Sequence, residues 1–123
     1  MTLDESFAGW DESRRIFEAL RARIEAMGPV KVRVTRIRVA FQQCRAFAWA
    51  WVPDRYLRGR HAPLVLTLSL QHRDPSGRWK EVVEPAPGRF THHLELHSEG
   101  EVDDELCGWL REAHAEAGRP MAV

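Results

Sequence analysis

The chain has 123 residues, a length that suits a single domain with one core. Its composition, with 44% hydrophobic and 29% charged residues, is that of a globular protein and argues against extensive disorder. Lysine plus arginine and aspartate plus glutamate number 18 each. This balance argues against nucleic-acid or anionic-membrane partners, which bind surfaces with a positive excess.

The first ten residues, MTLDESFAGW, lack the positive and apolar segments of a secretory signal, and we expect them to form a mobile N-terminal segment. No apolar run in the sequence approaches the roughly 20 residues that span a bilayer. Cys44 and Cys107 lack CxxC spacing, so we expect two reduced thiols. Arginine far outnumbers lysine, which suggests a bacterial genome of high GC content. These features predict a bacterial, cytoplasmic protein without a membrane partner.

Residues 11–28 carry the pattern of an amphipathic helix. Apolar residues recur every three or four positions, at Ile16, Phe17, Leu20, Ile24 and Met27. Gly28 and Pro29 then predict the end of the helix.

From Val30 the period of the apolar residues changes to two, which predicts about five antiparallel strands. The segments are VKVRV and RIRVAF, separated by a bulge or bend near Thr35, followed by CRAFAWAWV, LVLTLSLQH, RWKEVV and RFTHHLELH. The turn signal Asp74–Gly77 predicts a hairpin between LVLTLSLQH and RWKEVV.

The last predicted element is a helix that begins after the N-cap residue Asp103 and ends at Gly118. Its apolar stripe consists of Leu106, Trp109, Leu110, Ala113 and Ala117. The sequence therefore predicts an α+β fold, a two-layer sandwich in which a helix, about five antiparallel strands and a second helix follow one another, with both helices on one face of the sheet. The predicted single domain covers residues 11–118, and residues 119–123 form a C-terminal tail.

A sheet with helices on one side has a second face whose side chains follow from the alternation. The apolar sets Leu64, Leu66, Leu68, Leu70 and Ile37, Val39, Phe41 are predicted to face the helices. The opposite face then receives Arg36 and Arg38, Thr67, Ser69 and Gln71, and His93 and Glu95.

The direction of the tryptophans in AFAWAW depends on the hairpin that precedes them. A loop of two or four residues directs Ala46, Ala48 and Ala50 to the helices and leaves Phe47, Trp49 and Trp51 on the open side. A change of one residue in loop length reverses this and buries the aromatic rings, as is common for aromatic residues. The sequence leaves both alternatives open.

If the rings are on the open side, the protein is predicted to be a binding module for a small aromatic or anionic molecule or a peptide. The candidate ligand-binding residues are Arg36, Arg38, Phe47, Trp49, Trp51, Thr67, Gln71, His93 and Glu95. An alternative is that the aromatic face is the contact of a homodimer.

A further alternative is a metal-dependent enzyme at His93, Glu95 and His97. These residues alternate, and their Cα atoms are about 7 Å apart from one to the next, within reach of one metal ion. No second cluster of ligands, nucleophile elbow or cysteine–histidine signature accompanies them. The sequence thus favours a binding protein over an enzyme, with no catalytic residue and no cofactor predicted.

Several segments together resemble a family of short bacterial proteins, the domain of unknown function 5655. They are IFEALRARIEAMGPVKVRVTRIRVAFQQCRAFAWAWVP, the RYLRG loop, KEVVEPAPGRFTHHLEL and VDDELCGWLREAHAEA, which span nearly the whole chain after residue 10. The resemblance implies a compact helix–sheet–helix domain. It implies no established activity and no catalytic residues.

Overall fold

A computed structural model of the protein describes residues 1–55 and 61–119; the RYLRG segment lies almost wholly outside the described residues. The helices are α1 (Leu3–Ser6), α2 (Asp11–Glu25) and α3 (Asp104–Ala117). Two 3-10 turns cover Pro53–Arg55 and Glu99–Glu101. None of the described helices combines the length and the apolar character needed to cross a bilayer.

Within residues 1–55 and 61–119 the strands form one antiparallel sheet of six, in the spatial order β1-β2-β3-β4-β6-β5. Their bounds are β1 (Lys31–Val34), β2 (Val39–Gln42), β3 (Ala46–Trp51), β4 (Leu64–Leu70), β5 (Glu81–Ala86) and β6 (Arg89–Leu96). The predicted α+β fold with an antiparallel sheet is confirmed. The described residues form six strands rather than about five, and the two-layer description fits only approximately because α1 and the 3-10 turns add to the two long helices.

The core lies between the sheet and the two long helices. Residues of both predicted helical stripes, Ile16, Phe17, Leu20, Ile24, Leu106, Leu110 and Ala113, share one buried cluster with the leucines of β4 at positions 64, 66, 68 and 70. Residues 1–10 also contribute, because Phe7 is buried and its ring centroid lies 4.9 Å from that of Phe17. We call the sheet face that bears the opposite set of side chains the open face.

The segment between β1 and β2 is a tight bend between two short strands, which is one of the two predicted alternatives, but it extends to Arg38, so β2 begins only at Val39. The Thr35 N–H donates to the Arg38 carbonyl at 3.0 Å, and the Arg38 N–H donates to the Thr35 hydroxyl at 3.1 Å. The hydroxyl thus closes the turn, as threonine and serine side chains do where they compete with strand pairing. Ile37 was predicted to face the core, but at the turn it is 51% exposed.

β4 does not pair with the strand that follows it. β6 lies between β4 and β5, so the predicted hairpin around Asp74–Gly77 is wrong. The Asp74 carboxylate accepts hydrogen bonds from the indole N–H groups of Trp79 at 2.8 Å and Trp109 at 3.2 Å. Burial alone would raise the Asp74 pKa, but these hydrogen bonds, with one from the Ser76 N–H, lower it overall. The turn residues therefore anchor the connection to α3 instead of closing a hairpin.

A β-bulge in β3 decides which side chains reach the open face. Gln42 pairs with Ala46 and Phe41 pairs with Ala48, so Phe47 is the extra residue. Phe47 is 1% exposed, and its ring meets His114 of α3 edge-on at 5.5 Å between centroids. Phe47 is a candidate ligand-binding residue only in the alternative that leaves the aromatic rings on the open side, and the structure corrects this because the bulge directs Phe47 to the helical side. After the bulge the alternation resumes.

Candidate ligand-binding site

Trp49 and Trp51 lie on the open face, both partly buried. The residues that alternate with them in β3, Ala48 and Ala50, are buried against the core. Across the sheet Trp49 is level with Thr67 of β4, which is in turn level with His93 of β6. The small alanines admit the helices closely, while the indole rings extend to the other side of the same strand.

Trp51, Thr67 and His93 are joined by consecutive hydrogen bonds, which we call the relay. The indole N–H of Trp51 donates to the Thr67 hydroxyl at 3.0 Å, and that hydroxyl lies 2.9 Å from Nδ1 of His93. Thr67 is 8% exposed although it belongs to the open face. Large neighbouring side chains on this face therefore shield the relay, which holds the indole and the imidazole in fixed positions.

Arg38 lies over the first of the two indole rings. Its guanidinium carbon lies 5.6 Å from the centroid of Trp49, within the range of a cation–π contact. None of the described hydrogen bonds engages the guanidinium N–H groups, so they remain available to a ligand. These groups match the geometry of a carboxylate or phosphate, to which arginine binds in bidentate fashion.

Charge on the open face is divided between its two flanks. Lys31 and Arg33 of β1 share the basic flank with Arg38, because Arg33 is level with Ala40 and Ala40 with Trp49. The other flank carries Glu81 of β5, level with His93, and Glu95 of β6. The face thus runs from basic through aromatic to acidic.

The acidic flank has one neutralising partner in the described part of the chain. Lys80 Nζ lies 3.4 Å from a carboxylate oxygen of Glu95, whereas Glu81 has no ion-pair partner there. Burial lowers the pKa of His93, and the charge of Glu81 raises it by less. His93 is therefore neutral at neutral pH.

A groove of about 780 Å³ adjoins the open face where β3 and β6 begin and β4 ends; we call it the end groove. Ser69, Trp49 and Thr91 line it from the sheet, Arg89 from the start of β6, and Arg45 and Glu116 from the side of α3. Its volume lies within the usual range of pockets for small molecules. The open face and the end groove share Trp49.

Glu116 is the buried ionisable group of the end groove. It is 8% exposed, and its carboxylate accepts the Gln71 N–H at 2.9 Å. Burial raises its pKa and outweighs the hydrogen bond from Gln71, which lowers it; the nearby charge of Glu112 adds to the increase. Arg45 does not pair with this carboxylate but donates to the backbone carbonyl of Glu116 at 2.6 Å, where it satisfies the C-terminal end of α3.

The structure brings together only some of the predicted ligand-binding residues. Arg38, Trp49, Trp51, Thr67 and His93 form one contiguous cluster, and Glu95 lies at its acidic margin. Gln71 follows the end of β4 and lines the end groove instead. Arg36 is in the β1–β2 turn, where its carbonyl accepts a hydrogen bond from Arg55 at 2.7 Å, and none of the described contacts joins its side chain to the tryptophans.

The predicted metal ligands do not converge. His97 lies beyond the end of β6, is exposed, and lines a surface depression together with Glu12 and Arg15 of α2. Nδ1 of His93 is engaged with Thr67, and Glu95 is engaged with Lys80. The described residues contain no group of three or more His, Cys, Asp or Glu side chains that could hold a metal ion.

Sequence reasoning missed the end groove. The prediction assigned side chains to a face from the alternation along strands, and Glu116 belongs to a helix. Arg45 and Arg89 are at strand ends, where the alternation begins or breaks off. The only sequence signal was an acidic residue within the apolar stripe of α3, at the position next to Ala117.

The family model described as "Domain of unknown function (DUF5655)" matches residues 3–116, and this confirms the resemblance seen in the sequence. No curated protein and no solved structure matches the chain significantly. The comparisons therefore establish the family and add no ligand or reaction.

Proposed function

We propose that this chain, which belongs to the DUF5655 family, is a binding module that holds a small anionic molecule with a planar ring on its open face. The observation that carries the proposal is the cluster of Trp49, Trp51 and Arg38 beside the relay, on the sheet face that α2 and α3 leave free. Partly exposed aromatic rings grouped with fixed polar atoms are typical of ligand sites.

Each part of the cluster has a counterpart in such a ligand. The indole rings offer flat apolar surfaces on which a planar ring stacks. The guanidinium of Arg38 binds an oxyanion, and because its contact with Trp49 already orients this side chain, little rotamer entropy is lost on binding. A carboxylate or phosphate on the ring therefore fits the basic flank.

The proposal is tested by ligand-detected saturation-transfer NMR with three probes that differ in charge: benzoate, phenyl phosphate and benzylamine. The two anions should receive saturation from the protein and benzylamine should receive much less, because Arg38 repels a cation. Arg38→Gln should weaken the signal of the anions several-fold.

Arg73→Gln is the matched control, because Arg73 also lies over an aromatic ring, with its guanidinium carbon 5.7 Å from the centroid of Phe90, but away from the open face. It should leave the signal unchanged. Equal loss in both variants, or equal binding of the amine and the acids, would contradict the proposal.

A homodimer through the open face is the second candidate. The division of charge favours it, because a two-fold axis through the face would set the basic flank of one copy on the acidic flank of the other. Sedimentation equilibrium over a range of concentrations, at low and high salt, decides between the two. A salt-sensitive dimer that Trp49→Ala abolishes would support the homodimer, and a monomer throughout would exclude it.

A further inference from the structure

We infer that Nε2 of His93 carries a hydrogen and presents a permanent hydrogen-bond donor on the open face, where it receives a neutral acceptor of the ligand, a carbonyl oxygen or a heteroaromatic nitrogen. This inference rests on the proposed function: the anionic group of the ligand still binds Arg38, and the neutral acceptor binds His93. It assigns His93 the role of a specificity-determining residue.

The hydrogen atoms of the relay can be placed by elimination. An indole N–H is a donor only, so the Thr67 oxygen must accept from Trp51. The Thr67 hydroxyl still has its own hydrogen to donate, and among the described hydrogen bonds its remaining partner is Nδ1 of His93, at 2.9 Å. Nδ1 therefore accepts, and in a neutral imidazole the hydrogen must then be on Nε2.

The donor persists when the imidazole is protonated. In the cation both ring nitrogens carry hydrogen, so Nδ1 donates to the Thr67 oxygen and Nε2 remains a donor. Burial keeps the imidazole neutral at neutral pH, with Glu81 opposing this weakly. A ligand consequently meets the same donor in both protonation states, and a group that can only donate is rejected.

The neighbouring charges select a neutral acceptor over an anion at this position. Glu81 is directly across from His93 on β5, Thr67 is across on β4, and Glu95 follows two residues later on β6. Lys80 reaches Glu95 but does not neutralise Glu81. An oxyanion on Nε2 would therefore lie next to a carboxylate that has no ion-pair partner among the described residues, whereas a carbonyl or ring nitrogen avoids this repulsion.

The size of the ligand follows from the strand spacing. Trp49, Thr67 and His93 are level on three neighbouring strands, which places Trp49 and His93 about 10 Å apart at Cα. A single ring with an anionic group at one end and a carbonyl group beyond it spans such a distance. This describes an aryl amide or a heteroaromatic acid.

The first experiment determines the tautomer of His93 in the full-length, ligand-free protein. Long-range ¹H–¹⁵N NMR of the imidazoles, assigned with His93→Gln, should show an unprotonated Nδ1 and a protonated Nε2 at pH 8. Thr67→Val should convert His93 to a mixture of tautomers, and Thr67→Ser should restore the single form. A wild-type imidazole protonated on Nδ1, or a tautomeric mixture, would overturn the inference whatever ligand binds.

The second experiment compares 4-acetamidobenzoate, which has a carboxylate and an amide carbonyl at opposite ends of one ring, with 4-propylbenzoate, which has the same chain length but methylene groups in place of the amide. 4-Acetamidobenzoate should bind at least several-fold more tightly to the wild type, and His93→Phe should abolish the difference. Equal affinities in the wild type would overturn the assignment of an acceptor to His93. Failure of both acids to bind would contradict the proposed function and with it the ligand part of this inference, while the tautomer result would still test the relay by itself.

Discussion

Two aromatic residues of β3 should respond very differently to truncation. Phe47 and Trp49 are two positions apart, so an unbroken strand would place both on the same face. The bulge separates them: Phe47 is 1% exposed and packs on His114, whereas Trp49 is partly exposed and packs under Arg38. The variants Phe47→Ala and Trp49→Ala therefore test the bulge itself.

The expected costs follow from burial. Truncation of a fully buried phenylalanine to alanine lowers the free energy of unfolding by roughly 3–5 kcal/mol. Removal of Trp49 loses a cation–π contact of roughly 0.5–1 kcal/mol and the burial of only part of a ring. We expect the loss for Phe47→Ala to be at least about twice that for Trp49→Ala.

Urea unfolding followed by far-UV circular dichroism measures both losses. Small domains have free energies of unfolding of about 5–15 kcal/mol, so Phe47→Ala can leave too little folded protein to measure. Phe47→Leu, which keeps most of the apolar volume, then takes its place and should still cost more than the conservative Trp49→Phe. A larger loss at Trp49 than at Phe47 would refute the bulge and the assignment of the faces.

Two further variants test polar groups that are partly or fully buried, Asp74 and Glu116. Asp74→Asn removes the carboxylate that accepts from both Trp79 and Trp109. Urea unfolding should show that the free energy of unfolding falls by roughly 1–3 kcal/mol, the cost of an indole N–H left without an acceptor. No loss would mean that the carboxylate does not anchor the turn. Glu116→Gln should raise the urea midpoint at pH 7. Burial raises the pKa of Glu116, so the stability that its neutral form contributes is lost as the pH rises through that pKa, whereas glutamine stays neutral. This gain should vanish below about pH 4.3, where the wild-type carboxyl is protonated in both states, and a gain that is independent of pH would contradict the assignment.

The periodic parts of the fold were predictable because burial of one stripe or one face determines them. Ile16, Leu20 and Ile24 recur at helical spacing and are buried under the helix, and Leu66 and Leu68 anchor the central strand as the alternation requires. These patterns record where each residue meets the core. They do not record which strands are neighbours.

The parts that failed depend on single local contacts or on long-range pairing. Alternation predicts that residues 36–38 belong to a strand, but the Thr35 hydroxyl accepts the Arg38 N–H and holds them in a turn. The insertion of β6 between β4 and β5 depends on pairing between segments far apart in the sequence, such as Leu64 with Leu96, which no local pattern contains. For β3 the sequence left two alternatives, and the bulge yields a mixture of them, with Phe47 buried and Trp49 on the open face.

The measurement that tests the central claim most directly is the response of the five tryptophan indole N–H signals to a bound ligand, in ¹H–¹⁵N spectra of the labelled protein. Titration with 4-acetamidobenzoate should shift the signals of Trp49 and Trp51 and leave those of Trp79 and Trp109, which donate to Asp74, in place. A titration that moves the Trp79 and Trp109 signals while those of Trp49 and Trp51 stay fixed would contradict the claim that the open face is the binding surface.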